Sequence, residues 1–185
     1  MTYSLQVPPR SNSRRPGAYL EHLLQWADER ARAGIPRQAI CDALLRAPDV
    51  SLESFLEMTF SEKDQCLDEK GARIKAAKAV SQVMVNRDLN GRSLERDGNI
   101  EGAIRLYESN ISDRCSASTS YERLRAIYGE RLDFANAIRV CYAYLLAAKN
   151  GADAEQFQGY LDDLLAARND KAVVRSVLDI VAART

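Results

Sequence analysis

One histidine, His22, is all that the 185-residue chain carries of the side chain most used for proton transfer near neutral pH. It sits beside Leu23 in an amphipathic stretch with no Ser or Cys partner nearby, so nucleophilic and histidine-based catalysis have no foothold. A net charge is lacking too. The 26 basic side chains are balanced by 26 acidic ones, which removes any global attraction to nucleic acid or to an anionic bilayer. Cys41, Cys66, Cys115 and Cys141 stand 25, 49 and 26 residues apart. That spacing contains no local CxxC metal or redox pair and does not resemble a disulfide framework, so the thiols are read as free and buried, in a reducing compartment. No apolar run approaches the ~18 residues of a membrane span, and the opening MTYSLQVPPRSNSRRPG lacks the apolar core of a signal peptide. Cytoplasmic residence, with no membrane partner, is the expectation. Walker-type loops, dinucleotide-binding glycine clusters and HExxH metal pairs are missing. The adjacent carboxylates Asp162–Asp163 and Asp68–Glu69 point in different directions on a helix and make a poor acid–base pair. Neither catalytic residues nor a metal nor a cofactor is expected.

What is present is a globular composition, 46% apolar and 28% charged, with prolines and glycines too few for a largely disordered chain. β alternation is not found, and the expected fold class is all-α. Residues 1–17 read as a basic arm, with Arg10, Arg14 and Arg15, no acid, and Pro8, Pro9 and Pro16 interrupting any helix. Residues 18–72 read as an irregular N-terminal helical lobe. Tyr19, Leu20, Leu23, Leu24, Ala27 and Ala31 recur at helical spacing up to Gly34. Pro36 then opens a second helix with Ala39, Ile40, Ala43 and Leu44 inside. Ser51 suits the N-cap of a short helix, and Ser61 with Asp64 gives a further start. Residues 73–185 read as a helical region packed as one body with the lobe. In it Gly71 is a possible joint before a helix over 73–96, and Gly91 a close-packing point. Helices then follow over 133–149, 153–168 and 170–184, each opened by an Asp.

Charge in the middle of the chain is segregated. Asp49 to Glu69 holds seven acids and only Lys63, whereas Lys70 to Lys78 holds four bases and no acid. Complementary solvated faces are the plain reading, and a polar seam for a partner is the other. The stretch over 36–60 superficially resembles a helix-turn-helix, and with the basic patches it supports the alternative of a nucleic-acid-binding regulator. Its proposed recognition helix carries Glu53 and Glu57 and no base, which repels phosphate, so nucleic acid is not the expected partner.

The chain also repeats itself. Leu94–Tyr107 aligns with Tyr128–Cys141 at an offset of 34 residues, pairing Leu94 with Tyr128, Asn99 with Asp133, Ile100 with Phe134, Ala103 with Ala137 and Ile104 with Ile138. This resembles the tetratricopeptide repeat, whose period is 34 and whose helices cross closely at a small residue, here Ala103 and Ala137. The match runs over residues 84–148 and is degenerate. Gly98 in the turn becomes Leu132 in the second copy, and Gly91 becomes Arg125. Weaker echoes, at Gly34 with Ala39 and from Asn169 to Ala172, suggest capping hairpins.

The resemblance implies a right-handed α-solenoid of antiparallel helical hairpins, and with it a non-catalytic adaptor or scaffold. Such a protein binds a peptide segment or helix of another protein on its concave face. The implied positions are Val85, Asp88, Arg92 and Glu95 in the first copy and Thr119, Glu122, Ala126 and Glu130 in the second. One subclass of the family clamps a terminal carboxylate with Lys and Asn at such positions. Asp88, Glu122 and Ala126 depart from that pattern, so the specificity is not carried over. Among the tyrosines, Tyr121 and Tyr144 are the exposed candidates for anchoring a partner, and Tyr128 and Tyr142 are assigned to the hairpin core. A second copy of the chain, meeting it through the region of Phe55 to Phe60, is the other candidate partner.

Overall fold

The computed structural model describes residues 5–10, 17–47, 51–148 and 153–182, with side chains up to residue 169. Among the described residues there are eight α-helices and no strand. None of these helices is long and apolar enough to cross a membrane. The chain divides into two compact units, Met1–Arg87 and Asp88–Thr185.

In the first unit, α1 (Ala18–Arg32) ends where Gly34 adopts a φ of 81°. There the Gly34 N–H donates to Ala31 O and the Ile35 N–H to Arg30 O, closing the last turn around a left-handed residue. Pro36 precedes α2 (Arg37–Arg46) as expected, but the inner face is turned slightly. Ile40, Cys41 and Leu44 are buried, while Ala39 and Ala43 are half-buried. The short α3 (Leu52–Glu57) is capped by Ser51, whose hydroxyl accepts the Ser54 N–H at 3.2 Å. α4 (Phe60–Arg96) starts one residue before the expected Ser61. Its cap is a reciprocal one, the Thr59 N–H donating to Glu62 Oε2 at 2.8 Å and the Glu62 N–H to Thr59 Oγ1 at 3.4 Å. Gly71 is not a joint, because α4 continues through it for 37 residues and the unit boundary falls within it. The core of this unit joins Leu23, Trp26, Ala27, Ile40, Cys41 and Leu44 to Ala76, Ala77, Val80 and Met84. The Cys41 thiol donates to the Ala77 carbonyl at 3.4 Å.

In the second unit α5 (Ile100–Ser112), α6 (Thr119–Glu130), α7 (Phe134–Ala147) and α8 (Ala154–Ala182) pack each on the next. The turns before α5 and α7 share one geometry. Gly98 and Leu132, 34 residues apart in sequence, have φ of 77° and 58°. The caps that follow, Asn99 and Asp133, have φ of −85° each and ψ of 67° and 69°. Each accepts the N–H three residues on, from Gly102 and from Asn136. Gly91 on α4 is a close-packing point, since a Cβ there would lie 2.5 Å from Cε1 of Tyr107.

The core is aromatic. Tyr121 and Tyr144 meet edge to face at 5.2 Å, and Tyr144 stacks on Phe157 of α8 at 4.0 Å. Such pairs contribute about 0.5–1.5 kcal/mol each beyond their area. This corrects the assignment of Tyr121, Tyr142 and Tyr144, while Tyr128 packs against the core as expected. Tyr121 and Tyr144 are buried, whereas Tyr142 is 50% exposed and Tyr128 is half-buried. Two residues along a helix turn the side chain by about 200°, so Phe157, by taking Tyr144, sends Tyr142 to solvent. The helix expected to begin at Asp170 is not separate, because α8 runs through that position.

Candidate functional site

An open cleft of about 750 Å³ lies within the second unit, lined by Leu89, Arg92, Glu95 and Arg96 of α4 and by Glu122 and Arg123 of α6. Helical spacing explains the first wall, since residues 89, 92 and 96 follow three- and four-residue steps along one face. Glu95 is the fixed point of the cleft. Its Oε1 accepts the Tyr107 O–H at 2.5 Å and the Arg123 Nε–H at 3.0 Å, while Oε2 accepts from Nη2 of Arg123. The Arg123 hydrogen bond, then that of Tyr107, holds the Glu95 carboxyl below the ordinary carboxylate range. Burial, and then the Glu95 carboxylate, pushes the Tyr107 phenol up. The Arg123–Glu95 pair therefore braces α6 against α4, and Arg92, Arg96 and Glu122 are the charged groups left facing the opening.

Beside this cleft is a buried polar cluster. The Asp88 carboxylate accepts from Nδ2 of Asn110 at 3.0 Å and from the Ser120 hydroxyl, and Asn110 also donates to Ser120 Oγ at 3.1 Å. Asn110 and Ser120 are fully buried, so these bonds meet a need that water cannot. A third tie joins α5, α6 and α7, where Glu108 accepts from the Tyr128 O–H at 2.9 Å and from Arg139. Burial and that carboxylate push the Tyr128 phenol up to about 12.

Of the positions read from the sequence, Arg92, Glu95 and Glu122 line one cleft. Asp88 is spent on Asn110 and Ser120. Thr119, half-buried, and Glu130, exposed, do not line the cleft. Tyr121 is overturned as a partner anchor. It is fully buried against Tyr144 and Phe157, and its hydroxyl has no hydrogen-bond partner. Leu89, Arg96 and Arg123 were not anticipated. Arg123 had one signal, its position next to a predicted cleft residue, and the tie to Glu95 across 28 positions had none.

The groups associated with chemistry lie elsewhere. His22 is exposed on α1, and the four cysteines are free, with Cys66 half-buried and the rest buried. Burial raises the Cys141 thiol to about 11, which keeps it neutral and inert. Among the described residues no three His, Cys, Asp or Glu side chains gather as metal ligands would. No family model matches the chain, and neither does any curated protein or solved structure.

Proposed function

We propose that the protein is a non-catalytic adaptor whose second unit binds a segment of another protein in the cleft between α4 and α6. The carrying observation is that Arg92, Glu95 and Glu122 line one open cleft. The tetratricopeptide-like reading draws support from the matched turns at Gly98 and Leu132 and the matched caps at Asn99 and Asp133. With Arg92 and Arg96 on one wall, Glu122 on the other and Leu89 between them in character, the cleft suits a peptide of mixed charge with one apolar side chain. The four free thiols suit a reducing compartment such as the cytoplasm. The nucleic-acid alternative gains nothing from α3, a six-residue helix with Glu53 and Glu57 and no base.

The test is a quantitative one on whichever protein co-purifies with the native chain. Arg92→Ala combined with Glu122→Ala is expected to weaken that complex by about tenfold or more, since each removes a charged contact at the cleft. Glu95 is left in place because its loss would also strip Arg123 and Tyr107 of their partner. An affinity unchanged by the double substitution rules the cleft out as the binding surface.

A further inference from the structure

The N-terminal half of α4 carries apolar side chains on the side turned away from its own core. Its inner side is fixed by Ala76, Ala77 and Val80, all buried, and by Arg73, which hydrogen-bonds Tyr19 of α1. On the other side Phe60, Leu67 and Ile74 are 82%, 59% and 49% exposed. A seven-residue step drifts by only about 20° around a helix, so the three form one stripe.

Two further features of this stretch have no explanation inside the chain. Gly71 lies on the stripe between Leu67 and Ile74, and a Cβ there would meet nothing within 4 Å. A glycine in mid-helix is destabilising relative to alanine, and here no neighbour in the fold demands it. On one flank of the stripe the charges are also sorted along the axis, while the other flank carries Lys63, held over the Phe55 ring, and Lys70. Asp64 and Asp68 precede Gly71, Lys75 and Lys78 follow it, and all four are exposed.

We infer that this face of α4 pairs with the same face of a second copy of the chain, antiparallel and centred on Gly71. In that arrangement residue numbers on facing positions sum to about 142, twice the position of Gly71. Leu67 then lies against Ile74 of the second copy, Asp64 faces its Lys78, and Asp68 faces its Lys75. The two-fold axis makes each contact twice. The two glycines meet at the axis, where the missing side chains let the helices approach closely. Along the sorted flank a copy of the helix run backwards is its electrostatic complement, which points to a second copy as the occupant.

Sedimentation velocity on the full chain, from about 1 to about 300 µM, tests it, since dimer formation follows protomer concentration. The parent is expected to pass from monomer to dimer across that range. Asp64→Lys with Asp68→Lys is expected to weaken the dimer by about tenfold or more, and adding Lys75→Asp and Lys78→Asp to the same chain to restore it to within about threefold. Ile74→Lys, an independent change at an exposed site, is expected to abolish it, with thermal melts confirming that each variant is folded. A parent that stays monomeric throughout overturns the inference. So does a double reversal without effect, or a fourfold swap that fails to restore pairing.

Discussion

The two units of this chain handle their apolar residues differently. The second closes a core of interlocked aromatic rings, Tyr107, Tyr121, Tyr144 and Phe157, each at 0–2% exposure. The first buries mostly aliphatic side chains around Trp26, and leaves Leu45, Leu52, Leu56, Phe60 and Leu67 each at least 59% exposed. The second unit has matched turns and caps that feed one helix onto the next and enclose its rings, although Leu89 and Leu146 stay 59% and 73% exposed. In the first unit α3 is six residues long and has no buried residue, and Phe55 is covered only in part, by Lys63 of α4. Apolar residues in a sequence promise burial, yet in the first unit several of them stay exposed.

The comparison breaks most visibly on truncation. Phe157→Ala removes a ring packed against Tyr121, Tyr144 and Tyr160, and is expected to cost about 3–5 kcal/mol in denaturant unfolding of the second unit. Leu67→Ala, measured at dilution where copies do not meet, is expected to stay within about 0.5 kcal/mol of the parent. A loss of several kcal/mol at Leu67 would mean that its face is covered within the chain.

Two glycines on α4 sharpen the contrast with a smaller effect. Gly91→Ala drives a methyl group to 2.5 Å from the Tyr107 ring, and is expected to destabilise by about 1–3 kcal/mol. Gly71→Ala enters open space and is expected to stabilise the dilute protein by about 0.5–1 kcal/mol, seen as a higher thermal midpoint. If both substitutions move stability in the same direction, the assignment of Gly91 to packing and of Gly71 to an external contact is wrong. A change of similar size is expected at Leu132, 58% exposed and held at φ of 58°. Leu132→Gly relieves that strain and is expected to stabilise the second unit by about 0.5–1 kcal/mol in the same unfolding measurement, because little packing is lost. A clear loss there would show that the leucine side chain matters more than its backbone.

Much of the helical layout was legible because local chemistry decides it. Gly34 and Gly98 end helices by taking a positive φ, and Ser51 and Asp133 start them by accepting an N–H. Continuity was harder to read. Gly71 and Asp170 carry the composition of helix ends, yet α4 and α8 pass through both, since a single unfavourable residue is outweighed by its neighbours' hydrogen bonds. Rotation was the other blind spot. The apolar pattern of α7 does not say whether Tyr142 or Tyr144 turns inward, because that is settled by Phe157, which comes after a further turn of chain. For the cleft, Arg92, Glu95 and Glu122 were singled out in the sequence and line it. The sequence could not reveal that Glu95 would be claimed by Arg123 and Tyr107. A polar residue on an inner stripe was the one sign of the buried cluster: Asn110 follows Ala103 and Tyr107 at helical spacing and reaches back to Asp88.

That cluster also keeps register. Apolar side chains are nearly interchangeable partners, and a helix sliding by one turn past its neighbour exchanges one leucine or isoleucine contact for another at modest cost. Asp88, Asn110 and Ser120 are not interchangeable. A slip of one turn would strand the buried Asn110 amide and Ser120 hydroxyl without the half-buried Asp88 carboxylate they donate to, a penalty that grows with every bond lost. Three polar residues thereby make one alignment of α4, α5 and α6 the only inexpensive one, and the walls of the cleft inherit their spacing from it.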